Sequence, residues 1–222
     1  MATEVILPCL NEAAALPWVL DRLPTEYRAL VVDNGSTDRS AEIARSRGAR
    51  TLEVSQRGYG SACHAGLNAA TSELVVIMDC DDSLDPLDLP ALVRPVQTGE
   101  ADLVVGRRRP RGRGASPWTL RLANAALAQQ LRRRTGLMIF DRGPVRAADR
   151  STLLMLNVQY RRSGYPVETL IKAGAAGLRV RQVDVTYLPR RGRSKVTGTP
   201  LGAVRAVRDS LEAFNRVKPA AP

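Results

Sequence analysis

Two aspartates two residues apart, Asp79 and Asp81, directly follow an apolar run, Val75-Val76-Ile77-Met78. In an extended chain residues i and i+2 lie about 6–7 Å apart and point to the same side, so both carboxylates can face one site. Two hard oxygen ligands that leave the other positions open suit Mg²⁺ or Mn²⁺ bridging a diphosphate. The run before them reads as a strand buried on both faces. Open α/β sheets bind ligands at the carboxyl ends of such strands. An Asp-x-Asp taken alone is read more readily as a solvated acidic turn, so the surrounding chain has to decide.

Other residues carry similar pairs of readings. Asp33 closes the apolar run Tyr27 to Val32. Its carboxylate can accept from a base N–H or a ribose hydroxyl, or it can cap its own turn. Arg57-Gly58-Tyr59-Gly60 precedes a helix and can present backbone N–H groups to phosphate, or be an ordinary loop. Asp141 follows Met138-Ile139-Phe140, as a general base or a turn carboxylate. Arg193, Ser194 and Lys195 sit in a basic loop and can grip an anion, or be solvated. His64 is the only histidine and lies in a predicted helix among small residues, which gives no support to a Ser-His-Asp triad.

The elements that must position these groups alternate. Strands are predicted at Glu4–Leu7, Tyr27–Val32, Arg50–Val54, Val75–Met78 and Asp102–Val105. Between them fall helices at Ala13–Leu23 with Asn11 as cap, up to Arg47 before Gly48, at Ala62–Ala70 and at Pro86–Thr98. Such alternation implies an α/β fold with a mostly parallel sheet and right-handed crossovers. The pattern changes after Gly106. A basic loop over 107–116, a helix Trp118–Arg134, a short strand Met138–Asp141 and helices Asp149–Leu156 and Val167–Ala176 follow. A long strand Leu178–Leu188 leads to a second basic loop, Pro189–Lys195. The last helix, Leu201–Val217, sets Val204, Val207, Leu211 and Phe214 on one face.

A chain of 222 residues fills one core. No run approaches the roughly 18–20 apolar residues of a membrane span, and the N-terminus lacks a signal-peptide charge pattern. Cys9, Cys63 and Cys80 are odd in number and without metal-ligand spacing, which reads as buried, reduced thiols in a cytoplasmic protein. Residues 1–103 carry 8 Lys+Arg against 16 Asp+Glu, and residues 104–222 carry 25 against 6, giving −8 and +19 within the overall +11. An acidic half beside a basic half suggests a metal site in one and an anionic partner facing the other. Aromatics are only 4% of the chain and no recognised motif interleaves them with the basic runs, which argues against nucleic acid and leaves phosphorylated substrates or an anionic membrane surface.

Seven segments occur in a fixed order: Leu7-Pro8-Cys9-Leu10-Asn11-Glu12, Val31-Val32-Asp33-Asn34-Gly35-Ser36-Thr37-Asp38, Gly58-Tyr59-Gly60, Met78-Asp79-Cys80-Asp81, Val105-Gly106-Arg107-Arg108, Asp141-Arg142-Gly143-Pro144 and Arg193-Ser194-Lys195. In order and spacing this set resembles the family 2 glycosyltransferases of the GT-A fold, and most resembles their dolichyl- and polyprenyl-phosphate branch. The resemblance implies a Rossmann-like single domain: residues 1–106 for the nucleotide-sugar and metal, 107–200 for the acceptor, and 201–222 as an amphipathic helix and tail. Pro8, Asn11, Glu12 and Asp33 would surround the nucleoside, with Arg57, Gly58 and Arg108 also on the donor. Asp79 and Asp81 would hold Mg²⁺ or Mn²⁺. Asp81 and Asp141 would serve catalysis, with Asp141 and Glu168 toward the acceptor and Arg193, Ser194 and Lys195 closing over phosphate.

The family inverts, which implies one displacement at the anomeric carbon. A lipid-phosphate oxygen is already anionic and needs no base; a hydroxyl acceptor would need one, with Asp141 the first candidate. Two departures stand out. Ser83 occupies a position where polyprenyl-phosphate relatives often place a metal-binding Gln, and the C-terminal membrane helices of many relatives have no counterpart. The basic half and last helix still permit peripheral docking at the inner face of a membrane. Asp82 is left to solvent. Two other readings remain: a sugar-1-phosphate nucleotidyltransferase, and a non-catalytic protein that binds a polyanion or membrane surface.

Overall fold

The computed structural model describes residues 2–112, 118–190 and 200–216. Seven strands form one sheet: β1 (Thr3–Cys9), β2 (Tyr27–Asp33), β3 (Arg50–Glu53), β4 (Leu74–Met78), β5 (Leu103–Pro110), β6 (Val145–Asp149) and β7 (Val180–Tyr187). Their spatial order is β3-β2-β1-β4-β6-β5-β7. All neighbours are parallel except at β6, which runs antiparallel to both β4 and β5. The helices are α1 (Leu16–Asp21), α2 (Ser40–Ser46), α3 (Tyr59–Ala69), α4 (Leu89–Gln97), α5 (Trp118–Thr135), α6 (Arg150–Met155), α7 (Tyr165–Ala175) and α8 (Pro200–Arg216).

The continuous apolar runs have a direct cause. Alternate residues of β1 and β4 enter cores on opposite faces of the sheet. Ile6, Val75 and Ile77 pack with Ala62, Leu67, Leu131 and Leu170 on one side. Val5, Leu7, Val76 and Met78 pack with Leu16, Val19, Leu92 and Val93 on the other. A strand covered on both faces has no polar alternation to display.

The second half departs from the expected elements in three places. The predicted strand at Met138–Asp141 does not form: the Phe140 N–H donates to Gln182 Oε1 instead of a ladder, and Met138 and Phe140 are exposed. Only Ile139 in that run reaches the core. The strand that does form is β6, in the stretch between Asp141 and the helix expected from Asp149, where no element was predicted. Its Val-Arg-Ala-Ala-Asp sequence carries a single β-branched residue and so a weak strand signal. The loop expected from Arg107 begins later, because β5 continues to Pro110 and its last four residues pair with Asp184–Tyr187 of β7. Arg109 gains an ion pair with Asp184 there, at 2.8 Å. The division at 106/107 therefore falls inside β5. Among the described residues no helix is long and apolar enough to cross a membrane.

At the amino edge of β1, Glu4 is buried, and its Oε2 accepts from the N–H groups of Thr71 (2.6 Å) and Ser72 (3.1 Å). Its other oxygen faces Arg50 at 3.2 Å. Glu4 thus ties β1 to the connection between α3 and β4. Glu4→Ala leaves two donors unmatched and is expected to lower unfolding free energy by about 2–3 kcal/mol. A urea titration measures this, and Glu4→Gln should lose less.

Candidate active site

Strands β1, β2, β4, β5 and β7 all end at one edge of the sheet, and the chain switches from one side of β1 to the other between β3 and β4. A crevice opens at such a switch point. On one side of it, the loops after β1 and β2 are stitched together. Asn11 adopts a left-handed backbone (φ 56°), and its Oδ1 accepts from the N–H groups of Thr37 (2.7 Å) and Asp38 (3.3 Å). The N–H groups of Asn11 and Glu12 donate to Ser36 Oγ and Ser40 Oγ, each at 2.9 Å. Asp33 is buried, and its Oδ1 accepts from the Ser36 N–H (3.0 Å) and hydroxyl (2.5 Å). Pro8, Asn11, Glu12 and Asp33 therefore share one corner, and Asp33 does cap its own turn. Arg57 leans over Gly35 and donates to the carbonyls of Asn34 (3.1 Å) and Gly35 (2.8 Å).

The glycines at the start of α3 do something other than expected. The Gly58 N–H donates to Asn34 Oδ1 at 2.6 Å, and the Ser61 N–H to the Arg161 carbonyl at 2.9 Å. A Cβ on Gly58 would lie 2.2 Å from the Arg161 oxygen, and one on Gly60 2.3 Å from the Tyr160 oxygen. These positions admit a neighbouring backbone, and the helix start is already occupied by protein acceptors rather than open to phosphate. Glu168, expected toward the acceptor, points inward and is buried. Its oxygens accept from the N–H groups of Gln159 (3.0 Å) and Tyr160 (2.6 Å), with Lys172 Nζ at 2.9 Å. The same segment is held from α8, where Asp209 accepts from the Tyr160 and Ser163 hydroxyls.

Asp79 and Asp81 stand at the end of β4, in the middle of the edge. Burial raises the proton affinity of Asp79, the charge of Asp81 adds to this, and Arg190 opposes it. The Tyr59 hydroxyl also bonds to Asp79, and Arg146 lies close enough to favour its ionised form. Asp81 Oδ1 accepts from the Ser83 N–H (3.2 Å) and hydroxyl (2.5 Å), and its Oδ2 meets Arg190 Nη2 at 2.6 Å. Asp82 is buried, with a left-handed backbone (φ 55°). The expectation that it faces solvent is corrected: the chain must turn sharply there to bring Ser83 back onto Asp81.

Among the described residues no group of three or more His, Cys, Asp or Glu is placed to hold a metal. Two carboxylates fit a cation that completes its shell with water and phosphate oxygens, as Mg²⁺ does. They would not make a closed structural metal site.

Arg108 and Asp141 form a fork. Asp141 Oδ2 accepts from the Arg108 N–H (3.1 Å) and Nε (2.8 Å), and Oδ1 accepts from Arg108 Nη2 (2.5 Å) and the Gly143 N–H (3.0 Å). Burial pushes the Asp141 carboxyl up, but the bonds and charge of Arg108 outweigh it and hold it below the usual carboxylate range. Arg142 is beside them, its own proton affinity lowered by burial and by Arg108. Tyr187 lies under Arg108, at 5.6 Å from the guanidinium to the ring centroid. His64 is partly buried on α3, lowered by desolvation and by nearby Arg161.

Arg146, Tyr187 and Arg190 join the site without having been singled out from the sequence, and Tyr59 and Arg142, which stood in the ordered segments without a role, join it too. Arg146 carried a signal, as a charge inside the apolar run Val145 to Ala148. Arg190 sat among several loop arginines that nothing local distinguishes. Arg193, Ser194 and Lys195 lie outside the described residues.

Comparison with known proteins identifies the family and the fold. Residues 4–155 match the family model described as Glycosyl transferase family 2. A Mycobacterium tuberculosis protein described as an uncharacterized glycosyltransferase is 49% identical over 209 residues, covering 94% of this chain and 95% of its own. The dolichyl-phosphate hexose transferase of Haloferax volcanii is 32% identical, covering 86% of this chain and 85% of its own. The undecaprenyl-phosphate mannosyltransferase of Micrococcus luteus is 31% identical, covering 91% and 90%. Glucosyl-3-phosphoglycerate synthase of Mycobacterium tuberculosis, solved with Mn²⁺, UDP and glucosyl-3-phosphoglycerate, aligns with a TM-score of 0.74 at 27% identity, covering 96% of this chain and 78% of that one. Its complex with Mg²⁺ and UDP aligns at 0.76 and 26%, with the same coverage. With its mostly parallel GT-A sheet and its acidic strand end, the chain belongs to glycosyl transferase family 2 and is a nucleotide-sugar-dependent glycosyltransferase.

Proposed function

We propose that the protein is an inverting transferase that moves a sugar from a nucleoside-diphosphate sugar to a polyprenyl phosphate, with Mg²⁺ or Mn²⁺ held by Asp79 and Asp81. The observation that carries the acceptor class is the condition of the two expected acceptor-side carboxylates. Asp141 is forked by Arg108 and held ionised, and Glu168 is buried on two backbone donors and Lys172. Both carboxylates are engaged by fixed donors, and neither stands open to take a proton from a hydroxyl, as a general base must. A phosphate acceptor brings its own anionic oxygen. Two of the relatives are named for dolichyl-phosphate and undecaprenyl-phosphate transfer.

On this reading Asp33, Asn11, Glu12 and Pro8 receive the nucleoside. The metal, when bound, supplies Lewis acidity against the charge gathering on the departing diphosphate. Arg108, fixed by Asp141, adds a preorganised cation to the same end. The Tyr59 hydroxyl bonds to Asp79, and the nearby charge of Arg146 favours its ionised form. Arg57 steadies the loop after Asp33 rather than contacting phosphate directly. Phe140 and Met138 stand exposed on the segment between α5 and β6, with Arg107 and Arg132 guanidiniums at 4.9 and 5.1 Å from the Phe140 ring. Apolar tips flanked by cations suit peripheral contact with an anionic membrane surface. The protein would then work at the cytoplasmic face. A second reading, a soluble phosphorylated acceptor, is favoured by the solved neighbours made with phosphoglyceric acid.

Three outcomes are expected. Asp79→Ala and Asp81→Ala should each lower turnover of UDP- or GDP-sugars with Mn²⁺ by about a hundredfold or more; undiminished turnover in both would remove the metal assignment. Given polyprenyl phosphate, polyprenol and 3-phosphoglycerate in parallel, the protein should glycosylate the first with inversion at the anomeric carbon. Product on 3-phosphoglycerate alone would select the second reading. Asp141→Asn should lower the urea midpoint while keeping turnover within about tenfold; loss of more than about a thousandfold at unchanged stability would make Asp141 the base after all.

A further inference from the structure

Among the ion pairs of the site, one joins a carboxylate assigned to the metal with a side chain that no sequence argument selected. Arg190 Nη2 lies 2.6 Å from Asp81 Oδ2, and both side chains are largely covered, at 26% and 12% exposure. The other Asp81 oxygen already accepts from the Ser83 N–H and hydroxyl. The oxygen best placed to ligate a cation is thus the one that Arg190 holds.

The contact is built rather than incidental. The Leu188 N–H donates to the Ser83 carbonyl at 2.8 Å, and Leu84 bridges to Tyr187, so the end of β7 is sewn to the loop carrying Asp81. Arg190 follows two residues later and donates to the Tyr187 hydroxyl. Its charge also acts on Asp79. A single guanidinium therefore offsets two carboxylates that would otherwise repel each other in a buried setting.

We infer that Arg190 is an exchangeable counter-ion. It occupies Asp81 Oδ2 while the site is empty of metal, gives up that oxygen when a divalent cation arrives with the nucleotide, and then turns its guanidinium to the diphosphate. This rests on the metal reading of Asp79 and Asp81 above. Charge complementarity supports the exchange. Arg190 and the divalent cation favour the same anionic oxygen and exclude each other from it. The incoming diphosphate supplies new anionic oxygens, which a guanidinium can grip in bidentate fashion. Two consequences follow: metal alone binds against a resident cation, while metal with nucleotide gives that cation somewhere to go. Metal and nucleotide should reinforce one another's binding.

The test reads Mn²⁺ uptake from loss of the free-ion EPR signal, first with Mn²⁺ alone and then with UDP or GDP added, for wild type, Arg190→Gln, Arg190→Lys and Asp81→Asn. Thermal unfolding of each variant checks that it is folded. Arg190→Gln is expected to bind Mn²⁺ alone about tenfold more tightly than wild type and the nucleotide with Mn²⁺ about tenfold more weakly, with Arg190→Lys between the two. Unchanged or weaker binding of Mn²⁺ alone by Arg190→Gln, while Asp81→Asn abolishes uptake, overturns the exchange and leaves the metal site standing. Absence of uptake by wild type even with nucleotide overturns both.

Discussion

Carboxylates gathered at a buried strand end must be compensated, and this constraint shapes most of the site. Asp79, Asp81 and Asp141 share the edge above β4 with Arg108, Arg142, Arg146 and Arg190. An isolated ion in such surroundings would neutralise itself or draw in water. Here Asp79, Asp81 and Asp141 each have a guanidinium or hydroxyl partner. Those guanidiniums are also groups that can grip a ligand bearing phosphate. The basic excess of the second half thus acquires a specific cause in part: arginines from β5, β6 and the end of β7 converge on aspartates, one of them supplied by the segment before β6. The remaining arginines, such as Arg179 and Arg181, pair with surface acids and contribute little to this balance.

The first half of the fold was legible because its strands are buried on both faces and its connections are short, so apolar runs and turn residues reported position directly. The second half was harder for a physical reason. β6 is an antiparallel insertion between β4 and β5, held by their ladders rather than by its own propensity, and its small residues leave room for neighbours. Met138-Ile139-Phe140 has the better strand composition and is not a strand, because its backbone is captured by Gln182 and only one of its side chains finds the core. Tertiary pairing overrode local preference in both places.

The site divides along the same line. Asp33, Asp79 and Asp81 were readable because a carboxylate at a strand end is a local feature. The partners that define their state were not, since Arg190 and Arg146 reach Asp81 and Asp79 from far along the chain. Asp141 shows the limit most clearly. Its position suggested a base, yet only the fork from Arg108, 33 residues away, gives it the character of a fixed anion.

The two glycines at the start of α3 carry a more general lesson. Glycine followed by any residue and another glycine at a helix start has the look of a ligand loop, and within a family such a pattern would invite that interpretation. Here the passage of Tyr160 and Arg161 over the helix leaves room for hydrogen and nothing larger at either position. The permitted alphabet at Gly58 and Gly60 is one letter long, written by the crossing of two main chains. Invariance there would measure how closely the chain at Tyr160 and Arg161 is pressed against the start of α3, and would carry no information about what either segment binds.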